Sequence, residues 1–388
     1  MKWFFAIGFG ASAIYTIAAA FGVRWRGHRF KKTAHTVIAT IAKPLCGDEP
    51  HLEENLRTFT QQDYPNYEVI FGVRDPNDPA AGIARQFGQV VVAEHDLGTN
   101  RKVSSLAAMH PHMHGEIIVI SDSDMRVTPE YLSAIAAEFE NDKVGAVTCL
   151  YRATCHPERN EGPGRAGGAH IAASECRPHT QVPRYARDDK GLWSHLAAMW
   201  INESFLPSAL IANKLQPLRY CFGATMAVRR SVLDEIGGFE ALANQLADDY
   251  MLGKLVSDRG YRVVLAPYLV DNVVHEPTLR DLFAHELRWA RTIRSVRPWS
   301  YASTIFTMPL FWGCGLGWQG VAAALVLRVI LQAAAPGRFA PWLIPPRDIL
   351  TISVYGTAHL GRSVRWRQQK FNVSPGGELH EFRAQNAE

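Results

Sequence analysis

The sequence predicts an α/β domain on a mostly parallel central sheet, flanked by membrane helices at its N- and C-terminal ends. Three observations predict it. Short, continuous apolar runs alternate with helix-like segments through the middle of the chain, the pattern of strands buried on both faces. Residues 3–23 and 301–327 carry no charged side chain. Carboxylates gather where apolar runs end, and in such sheets ligands bind beyond the carboxyl ends of the strands. A chain of 388 residues suits one large domain with additions. With 47% hydrophobic and 20% charged residues it builds a substantial core, and a net charge of +4 is too weak to argue for nucleic acid. Six scattered cysteines without a CxxC pair form no disulfide framework and fit a reducing compartment.

The elements follow in order. At 1.5 Å per residue, "WFFAIGFGASAIYTIAAAFGV" (3–23) just crosses a hydrocarbon core of about 30 Å. It is long for a signal-peptide apolar region and is followed by "RWRGHRFKK" rather than a small-residue cleavage site, so it reads as an uncleaved anchor. The cations Arg24, Arg26, Arg29, Lys31 and Lys32 place the next segment in the cytoplasm. Strands are expected at "HTVIATIA", "YEVIFGV", "QVVVAE", "GEIIVISDSD" and "VGAVTCLY". Helices are expected at "PHLEENLRTFTQQ", "RKVSSLAAMH" and "TPEYLSAIAAEFEN", the last with Thr128 as N-cap and Pro129 at its first position. His110, His112 and His114 alternate without an acidic or cysteine partner, so a solvated loop is expected there rather than a metal site.

Residues 154–190, rich in Gly, Pro, Arg and His, read as a polar loop or insertion. The spacing of Cys155, His156, Cys176 and His179 matches no compact zinc knuckle. Beyond it come an apolar, aromatic helical region (192–212), a strand (220–230) and a helix opened by Asp248 and Asp249 (246–260). Strands at 261–267 and 270–277 precede a strongly basic helix at 279–298. The second C-terminal apolar stretch, 349–360, follows Pro345, Pro346, Arg347 and Asp348; it is a second span, a re-entrant segment or an interfacial helix. The expected organisation is an anchor (1–23), a cytosolic domain (24–300), C-terminal membrane segments (301–361) and a cytosolic tail (362–388).

The chemistry lies in four places. In "IIVISDSDMRV" an apolar strand ends in Asp122 and Asp124, two like charges that cost free energy unless something positive joins them. A divalent cation held by oxygen ligands suits such a pair and completes its shell with substrate phosphates; a capped turn is the bland reading. Asp249, or Asp248 beside it, could take a proton from an attacking hydroxyl, against plain acid placement at a helix N-terminus. In "HELRW", Arg288 could bind a phosphate bidentately and Trp289 could stack near an acceptor, although a basic interfacial helix would look alike. Asp75, closing "VIFGVRD", also falls at a strand end.

An Asp after the second strand, a D-x-D, a later acidic pair and an R-W motif, in this order, resemble the inverting family 2-type glycosyltransferases of GT-A fold. The texture is closer to ceramide glucosyltransferases. "FGVRDPNDP", "SDSDMRV", "FGATMAVRR", "LADDYMLG" and "VVHEP…HELRWARTIR" together resemble the hopanoid-biosynthesis-associated glycosyltransferases of the HpnI type, over about residues 36–153 and 191–300 plus both anchors. The resemblance implies a GT-A-type nucleotide-sugar-binding domain at the cytosolic face of a bacterial inner membrane. It implies that Asp75 contacts the nucleotide, Asp122 supports it, Asp124 ligates a divalent cation (Mg or Mn) and Asp249 is the base. Arg288 and Trp289 would serve the diphosphate and acceptor, with Arg101 and Lys102 of "NRKV" near the nucleotide and Asp248 in support. His285 stands where the family prefers Gln or Arg. "RSVRW" (362–366) matches that motif better, but its distance from the sheet domain is wrong. The implied reaction moves N-acetylglucosamine from UDP-N-acetylglucosamine onto a hopanoid alcohol, bacteriohopanetetrol. The alternatives are a ceramide- or sterol-type lipid glucosyltransferase using UDP-glucose, or an inactive membrane scaffold. A processive synthase would need more spans, and a nucleotidyltransferase would need a Gly-rich basic loop after the first strand.

Overall fold

The computed structural model describes residues 2–24, 37–154, 191–366 and 369–381. The Cys155, His156, Cys176 and His179 set and nearly all of the 154–190 insertion lie outside them. The central sheet has eight strands: β1 (Ala39–Pro44), β2 (Tyr67–Val73), β3 (Gln89–Val92), β4 (Ile117–Ser121), β5 (Met125–Arg126), β6 (Val144–Thr154), β7 (Thr225–Arg229) and β8 (Arg262–Val273). Their order is β3-β2-β1-β4-β7-β6-β8-β5. β1, β2, β3 and β4 run parallel, as do β6 and β8, while β7 and the short edge strand β5 are antiparallel to their neighbours. This is the GT-A arrangement, mixed but mostly parallel.

Its helices are α1 (Lys2–Gly22), α2 (Leu52–Phe59), α3 (Pro79–Ala84), α4 (Arg101–Met109), α5 (Tyr131–Glu138), α6 (Leu192–Trp200), α7 (Leu206–Leu215), α8 (Arg230–Glu235), α9 (Asp248–Asp258) and α10 (Leu279–Val296). They are followed by α11 (Pro298–Ser303), α12 (Pro309–Cys314), α13 (Trp318–Ala334) and α14 (Ile344–His359). Alternation along β4 builds the two core layers. Ile118 and Ile120 pack with Leu106 of α4 and Leu252 of α9, whereas Ile117 and Val119 pack with Tyr131 and Ile135 of α5.

Two local expectations are corrected. The N-cap of α5 is Glu130, not Thr128, whose N–H instead donates to Tyr268 Oη at 2.7 Å. Residues 261–267 and 270–277 do not form two strands; β8 runs unbroken through Pro267. The proline, lacking an N–H, falls in the register shift where Thr148 pairs with Leu265 and Leu150 with Leu269. The charge-free stretch 301–327, whose number of helices the sequence left open, is broken at Pro309 and at Gly317, whose φ is +82°, and holds the end of α11, α12 and the start of α13.

Among the described residues, α1 is the helix long and apolar enough to cross a membrane, and α13 is a shorter apolar one. Gly8, Ser12, Thr16 and Ala20 recur every fourth residue on the buried side of α1, and such small residues allow close helix approach. A Cβ on Gly8 would stand 2.1 Å from the Trp312 ring, and Ala19 and Ala20 pack on Leu331 of α13. Trp3, Ile7, Ile14 and Phe21 face outward. The charges of the C-terminal helices are internal: Arg328 joins Asp348 at 2.9 Å and Glu203 at 3.0 Å. Residues 363–381 fold as a second sheet of β9 (Ser363–Trp366), β10 (Gln369–Val373) and β11 (Leu379–Glu381), all antiparallel.

Candidate active site

The carboxylate pair stands where β4 ends. Asp122 follows Ser121, and Asp124 precedes β5, whose Met125 pairs with Asn272 of β8. That pairing aims Asn272 Nδ2 at Asp124 Oδ2, 2.8 Å away, and Val273 N–H donates to the Asp124 carbonyl at 2.9 Å. Asp248 and Asp249 open α9, and Cys221 N–H donates to the Asp249 carbonyl. Lys102, in the first turn of α4, joins the two acidic segments: its Nζ lies 2.8 Å from Asp122 Oδ1 and 3.3 Å from Asp248 Oδ2. Nothing cationic is beside Asp248 in sequence; the fold supplies the cation from another helix.

Gly223 lies between the carboxylates. A Cβ there would be 3.3 Å from Asp249 Oδ2 and 3.8 Å from Asp122 Oδ2, so the glycine keeps open the space both oxygens face. Asp249 Oδ1 accepts the Tyr250 N–H at 2.7 Å, leaving Oδ2 toward that space.

Burial dominates the electrostatics. It pushes the Asp249 carboxyl up to about 7, with Asp248 adding repulsion and Lys102 opposing. Burial, then Asp122 and Glu49, raise Asp124 to about 7. Burial also acts to lower Lys102, but Asp122 and Asp248 outweigh it and hold the ammonium above the usual lysine range. Lys43, next to last in β1, is fully buried, its Nζ donating to the Asp122 carbonyl at 2.7 Å and lying 3.4 Å from the centre of the Phe59 ring. Burial lowers it to about 7 against the pull of Asp122 and Asp124.

The R-W motif lies on α10. The half-buried Arg288 guanidinium is lowered by burial and pulled back chiefly by Asp122, and it makes no hydrogen bond or ion pair with a described residue. Trp289 stacks on Trp200 of α6 at 5.1 Å and 25°, with the His285 ring 4.1 Å away. His285 Nδ1 lies 2.6 Å from Glu276 Oε1, and Glu276 N–H donates to Ser194 Oγ at 2.9 Å.

The structure thus brings Asp122, Asp124, Lys102, Asp248 and Asp249 together, with Arg288 in their field. Asp75 stands apart, exposed in the turn after β2, where its Oδ1 accepts the Asn77 N–H. Arg101 is exposed at the start of α4. Sequence reasoning missed Lys43, Glu49, Gly223, Asn272 and Glu276. Lys43 carried a signal, being a charge inside an apolar strand; Asn272 did not, because its partner is set by strand pairing. His110, His112 and His114 bond separately, to Arg230, Gln89 and Glu68.

Two carboxylates and a buried, unpartnered oxygen fit a divalent cation. Glu49 Oε2 has no hydrogen-bond partner among the described residues, and burial raises that carboxyl. Asp248 Oδ2 is also buried without a hydrogen bond, its Lys102 contact being an ion pair only. Among the described residues no three His, Cys, Asp or Glu side chains form a ligand set, and an ion held by Asp124 and Asp122 would take its remaining ligands from substrate and water.

The profile of glycosyl transferase family 21 matches residues 4–161 and 179–379. Ceramide glucosyltransferase 1 of Caenorhabditis elegans is 20% identical over 399 residues, covering 94% of this chain and 78% of the relative. Beta-monoglucosyldiacylglycerol synthase of a Nostoc species is 28% identical over 123 residues, 30% of this chain and 23% of the relative. Among solved structures, a mannosyltransferase from Pyrobaculum calidifontis, in complex with GDP-mannose and Mn2+, aligns at 21% identity with a TM-score of 0.49, covering 92% of this chain and 95% of that one.

Proposed function

The chain belongs to glycosyl transferase family 21, and from that premise we propose that it transfers a sugar from a UDP-sugar to a membrane lipid alcohol with inversion. One observation carries the reading: Lys102 gathers the acids of β4 and α9 around the space that Gly223 leaves open. Asp249 Oδ2 accepts the proton of the acceptor hydroxyl. As that oxygen bonds to the anomeric carbon, the bond from this carbon to the diphosphate oxygen breaks. Lys102 and Arg288 bear on the negative charge of the leaving diphosphate. A divalent cation, Mg or Mn, held by Asp124 with Asp122 in support, would add charge stabilisation to the same group. Trp289, braced by Trp200, offers an apolar wall to the acceptor. Asp75 and Arg101, at the carboxyl edge of the sheet, serve the nucleotide.

The relatives that act on ceramide and diacylglycerol support a lipid acceptor, and α1 supports work at the bilayer surface, with the catalytic domain on the cytosolic face of a bacterial inner membrane. The motif resemblance favours bacteriohopanetetrol with UDP-N-acetylglucosamine; the ceramide glucosyltransferase matched over 94% of this chain favours ceramide as acceptor and glucose as the sugar, for which UDP-glucose is the donor to try. Membranes containing the protein, given each donor–acceptor pair with Mg or Mn, distinguish them by mass spectrometry. Glycosylated lipid that needs metal and vanishes in Asp249→Asn is the expected result. UDP binding without product from any lipid would refute the acceptor class, and loss of binding as well would favour an inactive scaffold.

A further inference from the structure

The R-W helix is held from behind by a charge that none of the site chemistry uses. Arg347, in the first turn of α14, is 1% exposed. Its fork donates to both oxygens of Glu286, Nη1 to Oε1 at 2.6 Å and Nη2 to Oε2 at 2.7 Å. The same guanidinium donates to the Leu196 carbonyl of α6 at 3.0 Å and to Thr351 Oγ1 at 3.0 and 3.1 Å. Glu286 is 3% exposed and falls inside the motif, between His285 and Arg288. Two residues on a helix are about 200° apart, so Glu286 faces α14 while Arg288 faces the carboxylates. One side chain therefore joins α14, α10 and α6.

Those elements hold the rest of the motif. α6 supplies Trp200, on which Trp289 stacks, and Ser194, which anchors Glu276 against His285. A buried ion pair adds little net stability compared with well-packed apolar side chains, but its geometry is directional. We infer that Arg347 is a positioning residue for sugar transfer: through Glu286 it fixes the rotation of α10 against α6, and so aims Arg288 at the leaving diphosphate. This rests on the proposed role of Arg288.

The test compares wild type, the double variant Arg347→Met/Glu286→Leu and the single variant Glu286→Gln. The full chain is purified in detergent and given Mn and a UDP-sugar. Three readouts are taken: UDP affinity, kcat for sugar release from the donor to lipid or water, and hydrogen exchange of residues 285–289. The double variant is expected to keep its thermal midpoint and to bind UDP within threefold of wild type. Its kcat falls thirtyfold or more, and exchange in α10 speeds up while α9 is unchanged. Glu286→Gln, which keeps the shape and one hydrogen bond, loses about tenfold in kcat, and it carries the test if the double variant does not fold. Folded variants with kcat within twofold of wild type, or with unaltered exchange in α10, would overturn the inference. If wild type shows no turnover, the reading of the site fails and the exchange readout alone still decides whether the pair sets α10.

Discussion

At the scale of single residues, burial sets the charges of the site, raising Asp249 and Asp124 and lowering Lys43. Asp249, raised to about 7 by burial and by Asp248, is protonated below that pH and must lose its proton to act as a base. In the proposed reaction kcat/KM therefore falls about tenfold per unit as pH drops below about 7 and levels off above it. Asp248→Asn removes the like charge, lowers the Asp249 pKa and moves the acid limb to lower pH; a limb that stays put would separate the two acids. Asp124 gives the complementary stability prediction. Its carboxyl binds a proton more tightly folded than unfolded, so its penalty is absent below the unfolded value near 3.8 and complete above about 7. In EDTA at pH 8, Asp124→Asn should raise the thermal midpoint, by on the order of 2–4 kcal/mol of stability, and the gain should vanish near pH 4. Mn should stabilise wild type but not the variant, and the variant should lose activity. The sequence singles out Asp122 and Asp124, because a carboxylate pair after an apolar run needs a reason, and Asp249 as half of an acidic pair that opens a helix. Their partners were not legible there. Lys102 and Asn272 come from elements whose alignment with β4 only the tertiary fold decides.

At the scale of elements, the loop before α9 ties the acids to the helix that carries Lys102. Asn100 caps α4 by accepting the Val103 N–H at 3.2 Å, and its Nδ2 donates to the Gln245 carbonyl at 2.7 Å. Its own N–H donates to the Ala243 carbonyl. Asn100→Ala should cost about 1–2 kcal/mol for the lost cap. Because it also frees Lys102 from Asp248, it should raise the donor KM several-fold, measured against UDP-sugar concentration; an unchanged KM would make the cap purely structural. Strand and helix positions through the central domain were readable from apolar runs, whereas the one cap residue expected, Thr128, lay two residues before the N-cap. What composition could not show was continuity. Pro267 looked like a break between two strands, yet the register shift opposite Leu150 absorbs it. At 301–327 freedom from charge left the number of helices open, and backbone geometry at Pro309 and Gly317 decides it. The Gly8, Ser12, Thr16, Ala20 spacing in α1 was visible as small residues, but a packing stripe has meaning only once α12 and α13 lie against it.

At the scale of the molecule, the C-terminal segment expected to be a tail packs on the loop before α9 and on α10. Leu246 N–H donates to the Gly377 carbonyl and Leu379 N–H to the Asn244 carbonyl, so the small sheet grips the loop that leads into Asp248. Leu246 also joins Val364, Phe371, Val373 and Leu379 in a core of its own. On its other side the segment holds α10, with Arg291 and Arg294 donating to the Ser363 and Gly361 carbonyls and Gly376 N–H to the Ser295 carbonyl. Two motifs far apart in sequence, the acid pair and the R-W helix, thereby share one clamp. "RSVRW" earned notice as a motif, whereas the structure uses Ser363–Trp366 as the strand β9 that builds the clamp. Ending the chain at Leu360 should leave the central sheet folded, because its core clusters contain no residue beyond that point. It should expose Leu246, speed hydrogen exchange across residues 243–249 and lower kcat on the order of 10–100-fold, since small displacements of reacting groups carry losses of that size. Exchange and kcat matching the full-length protein would mean that the sheet merely rests on the domain. The expected loss would mean that sequence beyond the last membrane-like helix completes an active site begun by β1.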